Sequence, residues 1–518
     1  MPVTSEDAGG RGAARSAWRA VVGLTLAVLL LRVAYQVALN PLELAADEAH
    51  YWDWARRPAL SYYSKGPGVA WVIGSSTAVL GDHAWSVRLP AAAAAAAAML
   101  AAAGLAFRFT DDRRAGLYAA ALVALVPGFS TTAQFMTIDM PFFACWLGAC
   151  WAAARLFDDL RAGRSAWGAW ATLGAVLGVG FLFKYTILLL LPGLAIYACV
   201  ERGSLQRWRG AVLGLAVFAV GISPVLSWNA RHGWPTVAHL LGHLNAPGGD
   251  VQSREAWSYH PLYTLEMLGT QIAAVGPALG LIVLARRHVT RRSLLLVCCS
   301  GPVLAFYLLV SVVTDVEANW PLPGWLALLV LAAIPLGGWL DDYRAKVAAW
   351  SSLPPSQRPR AGWLRRRPET AGQMAWHWTV GYGVVALAGL MGISWVAGVP
   401  GRDRVTGHAA RAQAVAREAA ALHDPFIVAD QYGRASLLAF YLPGRPSVCS
   451  AQSYRQGRRS SYDYFADTDL RDPARLGRDA MLVGGSLQRW QQTLAFDHIE
   501  ATAALGVYRA RGYRGPQP

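Results

Sequence analysis

Two adjacent acids, Asp47 and Glu48, follow the first long apolar run of the chain, and Lys65 stands before a Gly-Pro turn further on. An acid pair of this kind can bind a cation, take a proton from a hydroxyl group, or only face water at a helix end, which is the commonest outcome for its position. A lysine on a loop beside a membrane is placed to meet an anionic group as a compact point charge. The alternative for Lys65 is that its stem lies along apolar surface with the ammonium group in water.

A second acid and a second lysine interrupt the apolar sequence later in the chain. Asp139, in "TIDMP", stands where a helix begins, so helix capping is the alternative to a chemical role. Lys184, in "FLFKYT", falls in a break between two apolar runs, where an unpaired charge costs a few kcal/mol. A lipid phosphate would be a natural partner for Lys184, and the alternative is an ion pair with Asp139 or another carboxylate.

Polar and aromatic residues of other loops supply the remaining candidates for substrate contacts. Arg231 is a further positive charge at a predicted helix end, within "WNARHGWP", and "EANWPLP" adds an acid and an amide. The additional substrate-binding candidates are Tyr62, Tyr63, His232, Glu317 and Asn319.

The elements that carry these residues are predicted to be membrane-spanning helices. Only 15% of the 518 residues are charged, against about a quarter in soluble domains, and 54% are hydrophobic. Apolar runs of roughly 20 residues recur, which is the length that crosses a bilayer as a helix. We count about eleven spans, at 18–38, 86–107, 115–131, 139–157, 166–182, 185–200, 209–228, 263–285, 293–313, 320–340 and 375–398. The short apolar stretch 68–80 fits a helix that lies at the membrane surface, and the aromatics of "HYWDW" fit the headgroup level.

The distribution of Lys and Arg predicts the orientation of these spans. Alternate loops carry most of the positive charge, and such loops lie on the cytoplasmic side. Residues 1–17 are then a cytoplasmic tail of a cell-membrane protein, and 18–398 form the membrane domain. The first loop, 39–85, lies outside, where the candidate residues also gather, so we expect one site facing away from the cytosol.

Residues 399–518 differ from the rest in composition and are predicted to form a small α/β domain outside the membrane. Strand-like runs such as "PFIVAD" and "AMLVGG" alternate with helical sequence. The chain has a net charge of +15, but no basic face on a soluble domain that would indicate nucleic-acid binding. The fold class is therefore mostly α, a polytopic helical bundle with a small C-terminal α/β domain.

The acid pair, "ALSYYSKGPGVAW", "TIDMPFFACWL", "GFLFKYTILLLLPG" and "EANWPLPGW" together resemble the PMT-like family of GT-C fold membrane glycosyltransferases. This family includes the lipid A aminoarabinose transferases and relatives of the protein O-mannosyltransferases. The resemblance covers roughly residues 18–340. Ser64 departs from the aminoarabinose transferase pattern, which has an acid before the lysine, and that enzyme has more than eleven spans.

The resemblance implies inverting transfer of a sugar from a polyprenyl-phosphate donor to a lipid, glycan or protein acceptor on the outer face of the membrane. It makes Asp47 the catalytic acid with Glu48 as its neighbour, and Asp139 the second acid. Lys65 and Lys184, with Arg231, would stabilise the charge that develops on the donor phosphate. The sequence establishes no cofactor, and a divalent cation such as Mg²⁺ or Mn²⁺ bridging Asp47 and Asp139 stays open.

Two other functions compete with glycosyl transfer. A lipid or glycan transporter or flippase would do no covalent chemistry, but polar residues at mid-membrane and paired repeats are typical of that class. A receptor or assembly protein would use the domain at 399–518 to bind a partner.

Overall fold

The computed structural model describes residues 5–201, 208–244, 246–250, 259–357, 368–393, 396, 401–455 and 457–517. Its α-helices are α1 Ser5–Ala34, α2 Ala46–Ala55, α3 Gly68–Leu80, α4 Ala84–Ala106, α5 Arg114–Leu125, α6 Pro127–Thr132, α7 Asp139–Arg161, α8 Trp167–Phe183, α9 Leu190–Val200, α10 Trp208–His232, α11 Pro235–His243, α12 Pro261–Val275, α13 Ala278–Ala285, α14 Leu294–Val310, α15 Pro323–Ser352, α16 Pro368–Gly392, α17 His408–Ala419, α18 Tyr432–Tyr441 and α19 Leu487–Thr493. The β-strands are β1 Phe426–Ala429, β2 Val448–Ser450, β3 Ala480–Val483, β4 Leu494–Ala501 and β5 Val507–Pro516.

The chain divides into two compact units. The helical unit comprises Met1–Ala38, Leu89–Ser223 and Trp257–Met391, and the mixed unit comprises Leu39–Arg88, Pro224–Ala256 and Gly392–Pro518. The sequence predicted domain boundaries after residues 17 and 398, and these stay predictions. Within the mixed unit, the first loop packs against the C-terminal part, as the contact of α2 with α18 shows.

The apolar runs of the sequence form helices, as expected. Among the described residues, five helices are long and apolar enough to cross a membrane, or six if a pair bent by 93° between α12 and α13 counts as one span. Five shorter apolar helices accompany them. The predicted number of eleven spans therefore stays a prediction, while the polytopic helical architecture is confirmed.

Exposed apolar side chains cover the outside of several of these helices. Leu31 in α1 is 70% exposed and Val220 in α10 is 74% exposed, and neighbouring leucines and valines are similar. Aliphatic surface on this scale is unfavourable in water and suits the hydrocarbon of a bilayer.

Glycines allow α8 and α10 to approach closely within the helical unit. A Cβ on Gly174 would lie 2.1 Å from the carbonyl oxygen of Gly214, and one on Gly178 would lie 3.1 Å from the Cα of Gly221. Small residues at a helix contact are how membrane helices bring their backbones together.

The mixed unit contains a five-stranded sheet with the order β2-β1-β3-β5-β4. Strands β1, β2 and β3 are parallel, whereas β5 is antiparallel to both β3 and β4. All residues of β1 and β3 are buried, as expected for central strands covered on both faces. The predicted small α/β domain is confirmed.

The segment "HYWDW" of the first loop lies in the core of the mixed unit and not at a surface. Trp52 and Trp54 are at most 1% exposed, and α2, which carries them, packs against α18. These aromatics are therefore enclosed by protein, and their depth relative to the headgroups stays a prediction. A buried protein contact and a membrane interface select the same residue types.

Candidate functional site

Asp47 and Glu48 both lie in the first turn of α2, but their surroundings differ. Asp47 is exposed, and the Tyr432 hydroxyl donates a hydrogen bond to its Oδ1 at 3.3 Å. Glu48 is fully buried, and its Oε2 accepts a hydrogen bond from the backbone N–H of Ala45 at 2.9 Å. A reacting group can reach Asp47, whereas Glu48 is enclosed by protein.

Arg88, near the start of α4, is the main partner of Glu48. Its Nε and Nη2 donate to the two carboxylate oxygens at 2.8 and 2.7 Å. It also donates to the carbonyl oxygens of Leu42 and Glu43, at 2.9 and 2.8 Å. This arginine therefore joins the chain entering α2 to the helix itself, and Glu48 has the contacts of a residue that positions Asp47.

Lys65 is half-buried on a turn that the loop makes with its own backbone. Its carbonyl oxygen accepts hydrogen bonds from the N–H of Tyr62 at 3.1 Å and from the Ser61 hydroxyl at 3.2 Å. Tyr62 is buried, stacks on Trp54 with a centroid distance of 4.4 Å, and donates its hydroxyl hydrogen to the Trp54 carbonyl. The contacts of Tyr62 are those of a packing residue, while the Lys65 side chain retains access to solvent.

Tyr63 belongs to a polar cluster that the sequence did not indicate. Its hydroxyl donates to Asp250, which also accepts two hydrogen bonds from Arg458 at 2.7 Å. His239 Nδ1 lies 3.1 Å from Asp250, and His243 Nε2 lies 3.2 Å from Nε2 of His239.

Burial controls the protonation of this cluster. It lowers the pKa of His239 to about 4 and that of His243 to about 3, and the positive charges of Lys65 and Arg458 contribute to both shifts. Although burial opposes it, hydrogen bonds from His239 and Arg458 hold the pKa of Asp250 well below its usual range. The two histidines are therefore neutral beside an ionised aspartate at neutral pH.

Arg231 and His232 end α10 and are both exposed. His232 stacks on Trp228 with a centroid distance of 4.2 Å, and its Nδ1 lies 2.7 Å from the Trp228 carbonyl oxygen. The Trp228 ring also packs against Tyr464, 5.7 Å away between centroids. His232 is thus held in place, whereas Arg231 extends outward.

In the helical unit, Lys184 and Asp139 form a direct ion pair. Lys184 lies in extended backbone where α8 ends, and its Nζ donates to Asp139 Oδ1 at 2.8 Å. Both side chains are less than one-tenth exposed. This is the pairing that the sequence offered as the alternative to a lipid phosphate, and it gives the lysine a counterion within an apolar segment.

Asn319 completes the surroundings of Asp139. Its Nδ2 donates to Asp139 Oδ2 at 2.8 Å, and the Thr137 hydroxyl donates to the same oxygen at 3.2 Å. Glu317, two residues earlier, is exposed. The structure thus brings Asp139, Lys184 and Asn319 together in the helical unit, while the first-loop candidates belong to the mixed unit.

The predicted metal ligands have donors on their oxygens already. An ammonium and an amide occupy the two oxygens of Asp139, which leaves this carboxylate poorly suited to a divalent cation. Among the described residues, no group of three or more His, Cys, Asp or Glu side chains has the arrangement of a metal site.

A second buried network links α2 to the C-terminal part of the mixed unit. Trp54 donates to His50 Nε2 at 3.1 Å, and Ser436 Oγ lies 3.0 Å from His50 Nδ1. Ser436 Oγ lies 2.8 Å from the Tyr462 hydroxyl, which donates to Asp53 at 2.8 Å. No local spacing marks the pairs His50–Ser436 and Asp53–Tyr462, because their members are 386 and 409 positions apart in the chain.

Sequence comparison relates one segment of the chain to known transferases. Residues 64–228 match the family model of the dolichyl-phosphate-mannose-protein mannosyltransferases. The chain is 29% identical over 330 residues to the lipid A galacturonosyltransferase RgtD of Rhizobium johnstonii, covering 61% of this chain and 65% of that protein. It is 31% identical over 219 residues to the undecaprenyl phosphate-alpha-4-amino-4-deoxy-L-arabinose arabinosyl transferase of Pseudomonas aeruginosa, covering 40% and 39%. The matches thus span under two thirds of these relatives.

Structure comparison extends the likeness to almost the whole chain. The apo structure of ArnT from Cupriavidus metallidurans superposes with a TM-score of 0.63 at 18% identity, covering 96% of this chain and 98% of that one. The structure of the same protein bound to undecaprenyl phosphate also gives 0.63, at 16% identity, covering 94% and 97%. The chain therefore has the GT-C fold, and the resemblance to the PMT-like membrane glycosyltransferases is confirmed.

Proposed function

We propose that the chain transfers a sugar from a polyprenyl-phosphate donor to an acceptor hydroxyl on the outer face of the cell membrane, with inversion at the anomeric carbon. The observation that carries the proposal is the fold shared with ArnT bound to undecaprenyl phosphate, together with the match of residues 64–228 to the mannosyltransferase model. Lys184 lies inside that segment, and its ammonium group would exchange Asp139 for the phosphate of a lipid-linked donor. The names of the relatives, both transferases and one acting on lipid A, favour a glycolipid acceptor.

In this proposal, the acceptor hydroxyl attacks the anomeric carbon while Asp47 takes its proton as general base. The bond between that carbon and the phosphate oxygen breaks, and its electron pair leaves with the polyprenyl phosphate. Lys65 and Lys184 stabilise the phosphate as its charge develops, and Arg231 is a further candidate for the same role. Glu48, through Arg88, positions the turn that carries Asp47.

This step requires no nucleotide. The likeness to named transferases also favours covalent transfer over the transporter or flippase function. We further propose that the N-terminus is cytoplasmic and that the C-terminal sheet lies on the outer side, because the loops richest in Lys and Arg would otherwise face outward.

The test is transfer in membrane vesicles that contain the wild-type protein or Asp47→Asn. We expect Asp47→Asn to lose at least about 100-fold in rate, which is the lower range for removal of a general base. Asp403→Asn is the matched control, since Asp403 is also an exposed aspartate of the mixed unit. Transfer by Asp47→Asn at the wild-type rate would show that Asp47 is not the general base. Movement of substrate without a covalent product would favour the transporter function.

A further inference from the structure

A polar cavity lies at the edge of the sheet where the parallel strands end. Its volume is 720 Å³, and it is lined by residues that follow the three parallel strands: Asp430 after β1, Gln452 after β2 and Gly485 after β3. In open sheets with parallel strands, this carboxyl edge is where ligands bind. The cavity belongs to the mixed unit, and none of its lining residues has a role in the step as written above.

Arginines dominate the charge around this cavity. Arg455 and Arg489 line it, and Arg434 pairs with Asp430, the one carboxylate of the lining. Arg455 Nη1 lies 3.8 Å from an oxygen of the same aspartate. These three guanidinium groups outnumber the single carboxylate, which leaves the cavity positively charged and suited to an anion.

Arg455 has hydrogen-bonding capacity that the described residues do not use. Its Nη1 is buried and has no hydrogen-bond partner among them. Its guanidinium lies over the Trp490 ring, 5.0 Å from the centroid, so packing holds the group in place. A buried donor without a hydrogen-bond partner is unfavourable, and an anionic ligand would satisfy it.

Gly485 makes room for this guanidinium. Its φ is +64°, and a Cβ at this position would lie 2.6 Å from Nη2 and 2.8 Å from Nη1 of Arg455. Both the backbone conformation and the space therefore require glycine here.

The rest of the lining is neutral and rich in hydrogen-bonding groups. It includes Gln431, Gln492, Thr493 and the ring of Tyr454. Amide and hydroxyl groups of this kind suit the hydroxyls of a sugar. Tyr432, also in the lining, donates its hydroxyl hydrogen to Asp47, so one side chain touches both the cavity and the proposed base.

We propose that this cavity binds an anionic saccharide, with a phosphate or carboxylate group on Arg455 and Arg489, as part of the acceptor. The proposal rests on the proposed transfer function and deepens it by naming the chemistry of the acceptor. Both anions are planar or forked oxygen acceptors that arginine binds with two hydrogen bonds.

The test is equilibrium dialysis of the full-length chain in lipid nanodiscs against labelled glucose 1-phosphate, glucuronate and glucose. We expect at least one of the two anionic sugars to bind at least ten-fold more tightly than glucose. The sugar that binds more tightly shows whether the cavity prefers a phosphate or a carboxylate group. Arg455→Met and Arg489→Gln should each weaken that binding ten-fold or more. Arg511→Gln, an exposed arginine on β5, is the matched control and should bind as the wild type does.

Arg489 is exposed, so its variant tests the cavity even if Arg455→Met fails to fold. Equal binding of glucose and the anionic sugars, unchanged binding by Arg489→Gln, or no binding by the wild type would each overturn the proposal. Transfer by the same wild-type sample is measured separately. Transfer without sugar binding would overturn only the proposal that the cavity binds a saccharide. Arginine-dependent binding without transfer would overturn only the proposed transfer function.

Discussion

Arg88 and Glu48 form a buried ion pair in which Nη2 of the arginine lies 2.7 Å from Oε2 of the glutamate. Both side chains are at most 1% exposed, and the pair fixes the first turn of the helix that carries Asp47. A buried pair of this kind matters most when one partner is removed, because the other then remains as an unpaired charge in the protein interior.

Arg88→Met is therefore expected to lower the free energy of unfolding by about 3–5 kcal/mol, since Glu48 loses its cation. Glu48→Gln should lose less stability, because the amide still accepts a hydrogen bond from Arg88. Thermal unfolding in detergent measures both. Arg114→Met is the control, since Arg114 pairs with Asp112 at an exposed position, where a pair is worth about 0–1 kcal/mol. Equal losses for Arg88→Met and Arg114→Met would contradict the structural role of the buried pair.

The Lys184–Asp139 pair allows stability and activity to be separated. Lys184→Met should destabilise by about 3–5 kcal/mol, because it leaves a buried carboxylate with only neutral donors. Adding Asp139→Asn should restore most of that stability, and the two effects should not be additive. The double variant should nevertheless transfer no sugar, because it lacks the ammonium group. Wild-type transfer by this variant, measured with unfolding on the same sample, would show that the pair is structural only.

The buried histidines predict how stability depends on pH. Since the pKa of His239 is about 4 in the folded protein and about 6.5 when unfolded, the unfolded chain binds more protons between these values. Stability should therefore be constant above pH 7 and fall as the pH decreases from 6.5 towards 4, with His243 acting in the same direction. Unfolding temperatures from pH 8 to 4.5 measure this, and His239→Gln should flatten the profile. A stability that rises on acidification would reverse the assignment of neutral histidines.

The network from His50 to Asp53 should behave as one unit. Ser436→Ala and Tyr462→Phe each remove a hydroxyl from a buried series of hydrogen bonds, and each should cost about 1–3 kcal/mol. The double variant should lose clearly less than the sum, because either change already interrupts the series. Denaturant unfolding of the three variants gives the coupling free energy. Strict additivity would mean that the two hydroxyls contribute independently.

Sequence reasoning predicted the elements better than the partners of particular side chains. Apolar runs identify helices directly, and the break at Lys184 was visible because a charge in such a run needs a partner. The alternatives for that partner were a lipid phosphate, Asp139 or another carboxylate, and the structure shows Asp139. The hydrophobic pattern carries this information because it is local and periodic.

The contacts of the first loop could not be predicted in the same way. Tyr63 meets Asp250, and Glu48 meets Arg88, through irregular chain that has no periodicity to relate them. The segment "HYWDW" has a composition that fits both a lipid headgroup region and a protein core. Only the pairing of α2 with α18 distinguishes the two, and that pairing is a tertiary contact.

The Asp139 carboxylate also bears on how the spent carrier would leave. A lysine that already has a counterion attracts an incoming phosphodiester less strongly than an unpaired lysine does. Lys184 would therefore bind the donor less tightly and release the product faster. When the lipid monophosphate dissociates, Asp139 can pair with the Lys184 ammonium again, with Oδ1 2.8 Å from Nζ as in this structure. On the proposed mechanism, the Asp139 carboxylate competes with the product phosphate for Lys184 and so reduces product inhibition.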